Sequence, residues 1–290
     1  MGKPTLMFCV GATKAGTSWL YETLAAHPDC HLRSIKELHY FDALEKGELD
    51  REVAQTEAMK AQFEGRLPGA PADRAPELRR KIADRAAWLD VLRRGEDRDA
   101  YLGYLSEGRG ERRVIGDLTP AYALLPADRL RAMAGLTADV RFVYLLRDPV
   151  ARLWSHVRMI AKRRGGGPLD PQRAKNILRR TLRGEETEIE ARGDYAAALG
   201  RLSAAVAPAK RLVMFYEEMF SSEGLARLCR FLGLAPMAPD AARRVHAGAP
   251  MDMPEGLRAK AREWLAPQYD FVARWAGRLP EAWQANMVRV

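Results

Sequence analysis

Residues Gly11 to Leu20 read GATKAGTSWL and follow the apolar run TLMFCV. The amides of a glycine-containing turn that opens a helix form an anion site, because unpaired N–H donors and the helix dipole converge there. Lys14 adds a full charge, and Thr17 and Ser18 add hydroxyls. In the loop that cradles nucleoside triphosphates, G-x-x-x-x-G-K-[ST], lysine follows the second glycine. Here Gly11 and Gly16 keep the glycine spacing, but Thr17 takes that place and the lysine lies inside the loop. A plain strand–turn–helix junction capped by Thr17 or Ser18 would need no lysine.

Two further segments carry chemistry. KELHYFD, Lys36 to Asp42, sets a cation, a carboxylate and an imidazole within four residues. Such a group can take a proton and steady developing charge, although a solvated Glu37 and a packed His39 would also satisfy the pattern. In YLLRDPVARLWSHV, helical spacing puts Val150, Leu153, Trp154 and Val157 on one buried stripe, with Arg152, Ser155 and Met159 elsewhere. Arg147 at a strand end and Ser155 two turns into the helix could meet over one phosphate, the arginine as fork and the serine as hydroxyl. The competing expectation pairs Arg147 with Asp148 or another surface acid.

The elements that must position these residues alternate. Strands are expected at Thr5–Val10, 112–117, 139–146 and 211–216, with a short segment at CHLR. Helices are expected at Thr17–Ala26, 44–64, 76–94, 149–164 and 221–234, and from about Pro254 onward; GGGPLD, 165–170, is a loop. Buried apolar strands between helices predict one α/β domain over residues 1–290, a P-loop-like, mostly parallel sheet flanked by helices on both faces. Ligands of such sheets bind at the carboxyl ends of the strands, where three candidate segments fall, Gly11–Ser18, Asp117–Tyr122 and Arg147–Ser155.

Composition narrows the function. The 290 residues hold 47 Lys and Arg against 38 Asp and Glu, a net charge of +9. That favours anionic partners, but the charges interleave along helices, and no nucleic-acid-binding signature is present. Three widely spaced cysteines give neither a disulfide framework nor a metal pair, so a reduced, cytoplasmic protein with no metal is expected. No run approaches the roughly 20 apolar residues of a membrane span, and TLMFCVGA is expected to be a buried strand, not a leader.

TKAGTSWL, KELHYFD, GDLTPAY and LLRDPVARLWSHV, in this order, resemble the sulfotransferases that use 3′-phosphoadenosine-5′-phosphosulfate (PAPS), in the branch of heparan-sulfate and bacterial carbohydrate enzymes. The later RLVMFYEEMFSSEGLARLCRFLGL and MPEGLRAKAREWLAPQYDFV are also similar to bacterial members. The resemblance implies that Lys14, Ala15, Gly16, Thr17 and Ser18 bind the 5′ end of the donor and that Arg147 and Ser155 bind its 3′-phosphate. It implies Trp19 against the adenine, where a core role is equally open. Glu37 aligns with the general base and His39 with a neighbouring site residue, and 3′-phosphoadenosine-5′-phosphate (PAP) is the implied product. The acceptor would offer a hydroxyl or amine on a small molecule, saccharide or lipid-linked precursor. Leu118 replaces a lysine of the heparan branch, and HAGAPMDMPEGLRAK offers only Arg258 and Lys260 for that family's late glycine-and-lysine loop. Two other readings stay open: a kinase-like phosphoryl transferase and a non-catalytic nucleotide- or polyanion-binding protein.

Overall fold

The computed structural model describes residues 2–238 and 251–288. Five strands, β1 (Thr5–Gly11), β2 (Cys30–His31), β3 (Val114–Asp117), β4 (Val140–Leu146) and β5 (Arg211–Phe215), form one sheet in the order β2-β3-β1-β4-β5. Every pairing is parallel, with Phe8 opposite Asp117 and Leu145 opposite Met214. The central strands are apolar throughout because both sheet faces are covered. From β1 the chain moves to one side of the sheet, and from β2 onward it moves back across. Right-handed crossovers therefore place helices on both faces. The connections leave the neighbouring strands β1 and β4 in opposite directions, so the loops after these two strands flank the topological switch point.

The first turn of helices runs α1 (Thr17–Ala25), α2 (Tyr40–Lys46), α3 (Leu49–Arg66), α4 (Ala75–Arg93) and α5 (Arg98–Ser106). The helix expected at 44–64 is divided at Gly47, which takes φ 66° and ends α2. Next come α6 (Ala127–Ala134), α7 (Pro149–Gly165), α8 (Pro171–Thr181), α9 (Thr187–Ala191) and α10 (Tyr195–Ala205). Asp148 caps α7 by accepting from the Ala151 amide at 2.7 Å, and Pro149 occupies its first turn. The expected stripe of Val150, Leu153, Trp154 and Val157 is buried, as is Arg152 beside it.

The chain closes with α11 (Ser222–Leu232), α12 (Glu255–Ala276) and α13 (Glu281–Gln284). Tyr269 of α12 donates to Asp148 at 2.7 Å, and Gln268 accepts from the Tyr195 amide at 2.9 Å, so α12 pins the starts of both α7 and α10. All three cysteines are buried and unpaired. No helix among the described residues is long and apolar enough to cross a membrane.

Candidate active site

The loop from Gly11 to Gly16 needs both its glycines. A Cβ on Gly11 would lie 2.5 Å from the Tyr144 ring, and one on Gly16 would lie 2.6 Å from Met219 Cε. Gly16 also takes φ 95°, the left-handed region that glycine enters at little cost. The expected cap from Thr17 or Ser18 is not formed, and no side chain caps α1. The amides of Gly16, Thr17, Ser18 and Trp19 therefore find no acceptor among the described residues. A helix start with four open donors is an anion site by construction.

Cations gather at this loop. Arg147, the first residue after β4, donates from Nη1 to the Lys14 carbonyl at 3.0 Å, and its guanidinium lies 4.8 Å from the Tyr216 ring centre. The alternative pairing with Asp148 is not made: that carboxylate is occupied by Ala151, Tyr269 and Asn286. Ser155, two turns into α7, is half-buried and makes no hydrogen bond among the described residues. Arg158 lies one turn further on the same helix face, and its charge acts on both Arg147 and Lys14. Burial, then the charges of Arg147 and Arg158, push the Lys14 pKa down. Sequence reasoning overlooked Arg158; its spacing of three from Ser155 was the available signal.

Trp19 is core-packed, 4% exposed, and meets Phe220 edge-on with ring centres 4.9 Å apart. Phe220 also packs on Tyr216 at 4.8 Å, so Trp19, Phe220, Tyr216 and Arg147 form a continuous row beside α1. The indole N–H of Trp19 is buried without an acceptor among the described residues. Of the residues considered for the late loop, Arg258 is engaged with Glu255 and Asn286, and Lys260 is exposed on α12. Residues 246–250 of that stretch lie outside the described residues.

The KELHYFD segment is held against this loop by GDLTPAY. Asp117, fully buried at the end of β3, accepts from Thr119 Oγ1 at 2.6 Å, Tyr122 OH at 2.8 Å and Tyr101 OH at 2.9 Å. Thr119 Oγ1 in turn accepts from the Leu38 amide at 2.9 Å, and the Tyr122 hydroxyl accepts from the Tyr40 amide at 3.1 Å. Two buried hydroxyls thus fix the backbone on either side of His39. Burial pushes the Asp117 carboxyl up to about 6 even though three hydroxyls donate to it. Sequence reasoning placed Asp117–Tyr122 at a strand end as a candidate site segment without giving it a task; here it holds the backbone around Glu37 and His39.

On that support Lys36 Nζ reaches Thr17 Oγ1 at 3.4 Å and also contacts Glu37 Oε1. The other carboxylate oxygen of Glu37 lies 3.6 Å from His39 Nε2, and His39 Nδ1 lies 2.9 Å from Asp42 Oδ2. Burial alone would raise the Glu37 pKa, but the His39 and Lys36 contacts outweigh it and hold it at about 2. Burial opposes the charge on His39 as well, yet its two carboxylate partners raise it to about 10. At neutral pH the segment presents an ionised Glu37 between two cations. Its side chain remains 42% exposed, open to the cleft. Leu118 is buried, and the lysine beside Glu37 is Lys36.

Comparison with known proteins gives the family and the fold. A family model described as the sulfotransferase family matches residues 6–239. Among solved structures, a sulfotransferase from Alicyclobacillus acidocaldarius is similar in fold, with a TM-score of 0.63 and 24% identity over 98% of this chain and 100% of that one. The sulfotransferase domain of the Synechococcus PCC 7002 olefin synthase gives a TM-score of 0.51 and 17% identity, covering 96% of each chain. A search of curated protein sequences found no match. The family match begins in β1, ends beyond α11 and takes in the loop, the Glu37 segment, the Asp117 hub and the start of α7, so the chain belongs to the sulfotransferase family.

Proposed function

We propose that this sulfotransferase takes its sulfuryl group from PAPS and passes it by in-line displacement to a hydroxyl or amine of a small-molecule, saccharide or lipid-linked acceptor. The observation that carries this is the contact from Lys36 to Thr17. It joins the segment holding the proposed base to the helix start that would hold the donor. The donor fits the residues present. The open amides of Gly16 to Trp19, with Lys14, Thr17 and Ser18, suit a single 5′-phosphate. Arg147 and Ser155 suit a second phosphate, and the Trp19–Phe220 row suits a base. When bound, PAPS supplies a sulfuryl group on a phosphate leaving group.

Each protein residue then has a definite task. Lys14, already pushed toward a lower pKa, would stabilise charge gathering on the leaving phosphate oxygen. Glu37 would accept the proton of the acceptor. A carboxylate held at about 2 is a weak base, so the acceptor must displace Lys36 or His39 from it. Each displaced cation raises the basicity of Glu37 as the hydroxyl arrives. His39, a cation between two carboxylates, orients Glu37 and does not compete for the proton.

The experiment is transfer of labelled sulfate from PAPS by the purified protein to acceptors in a cell extract, with the product identified. Labelled product is expected, and it should persist in excess EDTA. Activity restored only by magnesium would favour phosphoryl-transfer chemistry. PAP binding with no turnover of donor would favour a binding protein.

A further inference from the structure

Beyond Ser155, the exposed side of α7 ends in a hollow of about 670 Å³ lined by Met159, Lys162, Arg163, Gly166, Gly167 and Pro168. None of these residues is acidic, and neither Lys162 nor Arg163 is ion-paired among the described residues. The adjacent Arg164 behaves differently: it turns away and holds both Glu186 oxygens at 2.8 Å. Cations in the last turn of a helix gain from its dipole, which explains a charge there but not two left unpaired around a concavity.

The hollow lies on and just beyond the helix that carries Ser155. Arg163 follows Ser155 by eight residues, about 12 Å along the helix, and Met159 lies between them. Beneath this stretch His156 is 1% exposed, and its Nδ1 has no partner among the described residues. Burial, then Arg152, Arg192, Lys14 and Arg163, drive its pKa down to about 2. The loop lysine and the wall of the hollow thus act on the same imidazole. Arg152, 1% exposed, leaves Nε and Nη1 without acceptors among the described residues, and Arg192 reaches the loop at Thr13 Oγ1, 3.3 Å away. Between Lys14 and Arg163 cations outnumber acids, although Glu188 pairs with Arg192 at 3.1 Å and Asp252 acts on Arg158, and the glycines beyond leave backbone exposed with little side-chain bulk.

We propose that this hollow seats the acceptor and that the acceptor carries an oxyanion group, a phosphate or a carboxylate, held by Lys162 and Arg163 while its hydroxyl faces Lys14. This deepens the transfer reading above and rests on it. Met159 and Pro168 would line the carbon skeleton. A neutral acceptor would leave both cations unused, whereas an anionic one is drawn in by the field of the whole wall.

The test uses wild-type protein saturated with PAP, so that the donor site cannot take the probe. Calorimetric titration with glycerol 3-phosphate, glycerate and glycerol compares three probes of similar size. At least one anionic probe should bind roughly tenfold or more tighter than glycerol, and whichever does so names the oxyanion. That preference should disappear in the Lys162→Gln, Arg163→Gln double variant, while PAP affinity and melting temperature stay unchanged. Equal binding of all three probes, or a preference that survives the double substitution, overturns the inference and leaves the donor reading standing. Failure of wild type to bind PAP would overturn both.

Discussion

At the scale of single residues, the site turns on Lys14 and Glu37. Lys14→Ala should leave the fold intact, because the side chain faces the cleft, and should cost roughly 10²–10³ in turnover, as for loss of a preorganised charge donor. Steady-state rates with PAPS would check this, and near-normal turnover would remove Lys14 from the chemistry. Glu37→Gln keeps size and hydrogen bonding but cannot take a proton, so turnover should fall by roughly 10²–10⁴ with PAP affinity preserved. The pH profile distinguishes its partners. Glu37 is depressed to about 2, so its ionised form persists as pH falls through the ordinary carboxylate range; His39 stays protonated until pH rises toward about 10. Wild-type kcat/KM should therefore be flat in acid down to pH 5. In His39→Gln the Glu37 pKa should rise and the acid limb should move upward. An unshifted limb would mean that the imidazolium does not tune Glu37.

At the scale of elements, strand ends and helix starts do the positioning. Thr119 couples β3 to the Glu37 segment, donating to Asp117 and accepting from the Leu38 amide. Thr119→Val keeps the shape and strands that buried amide, at a cost of about 1–3 kcal/mol. Thermal melts should register the loss, and kcat should drop more than PAP affinity, since Glu37 loosens while the phosphate loop does not. Loss of PAP binding instead would mean that the hub serves the loop. At the junction of β4 and α7, Arg147 should select the 3′-phosphate. Charged hydrogen bonds are worth ~1.5–3 kcal/mol each, so Arg147→Ala should weaken PAP by roughly 10²–10⁴ and 5′-AMP hardly at all. The contact from Arg147 to the Lys14 carbonyl gives the rival outcome: equal loss for both nucleotides would make the arginine a support of the 5′ loop.

At the scale of the whole molecule, charge and topology act together. A net charge of +9 and a cationic cleft should speed the encounter with an anionic donor. Raising salt from 0.05 to 0.5 M should lower kcat/KM for PAPS several-fold with little change in kcat, because screening acts on encounter more than on the closed site. A kcat that falls in step would point to an effect on the bound state.

The sequence by itself determined the parallel α/β sheet, the three segments at its strand ends and the lysine placed inside the loop. Those features are local: an apolar strand, a glycine turn and a capped helix each announce themselves within about ten residues. Only the tertiary structure decided the rest. It turned His39 into a cation by folding Asp42 and Glu37 onto it, and it set Lys36 against Thr17, 19 residues away. It buried Asp117 under hydroxyls from Thr119, Tyr122 and Tyr101, and it aligned Arg158 with Arg147 and Lys14. A charge state is fixed by whatever lies within a few ångströms: His39 and Glu37 find their partners inside one heptapeptide once its backbone is folded, whereas the charges around Lys14 come from a segment that the sequence keeps far away.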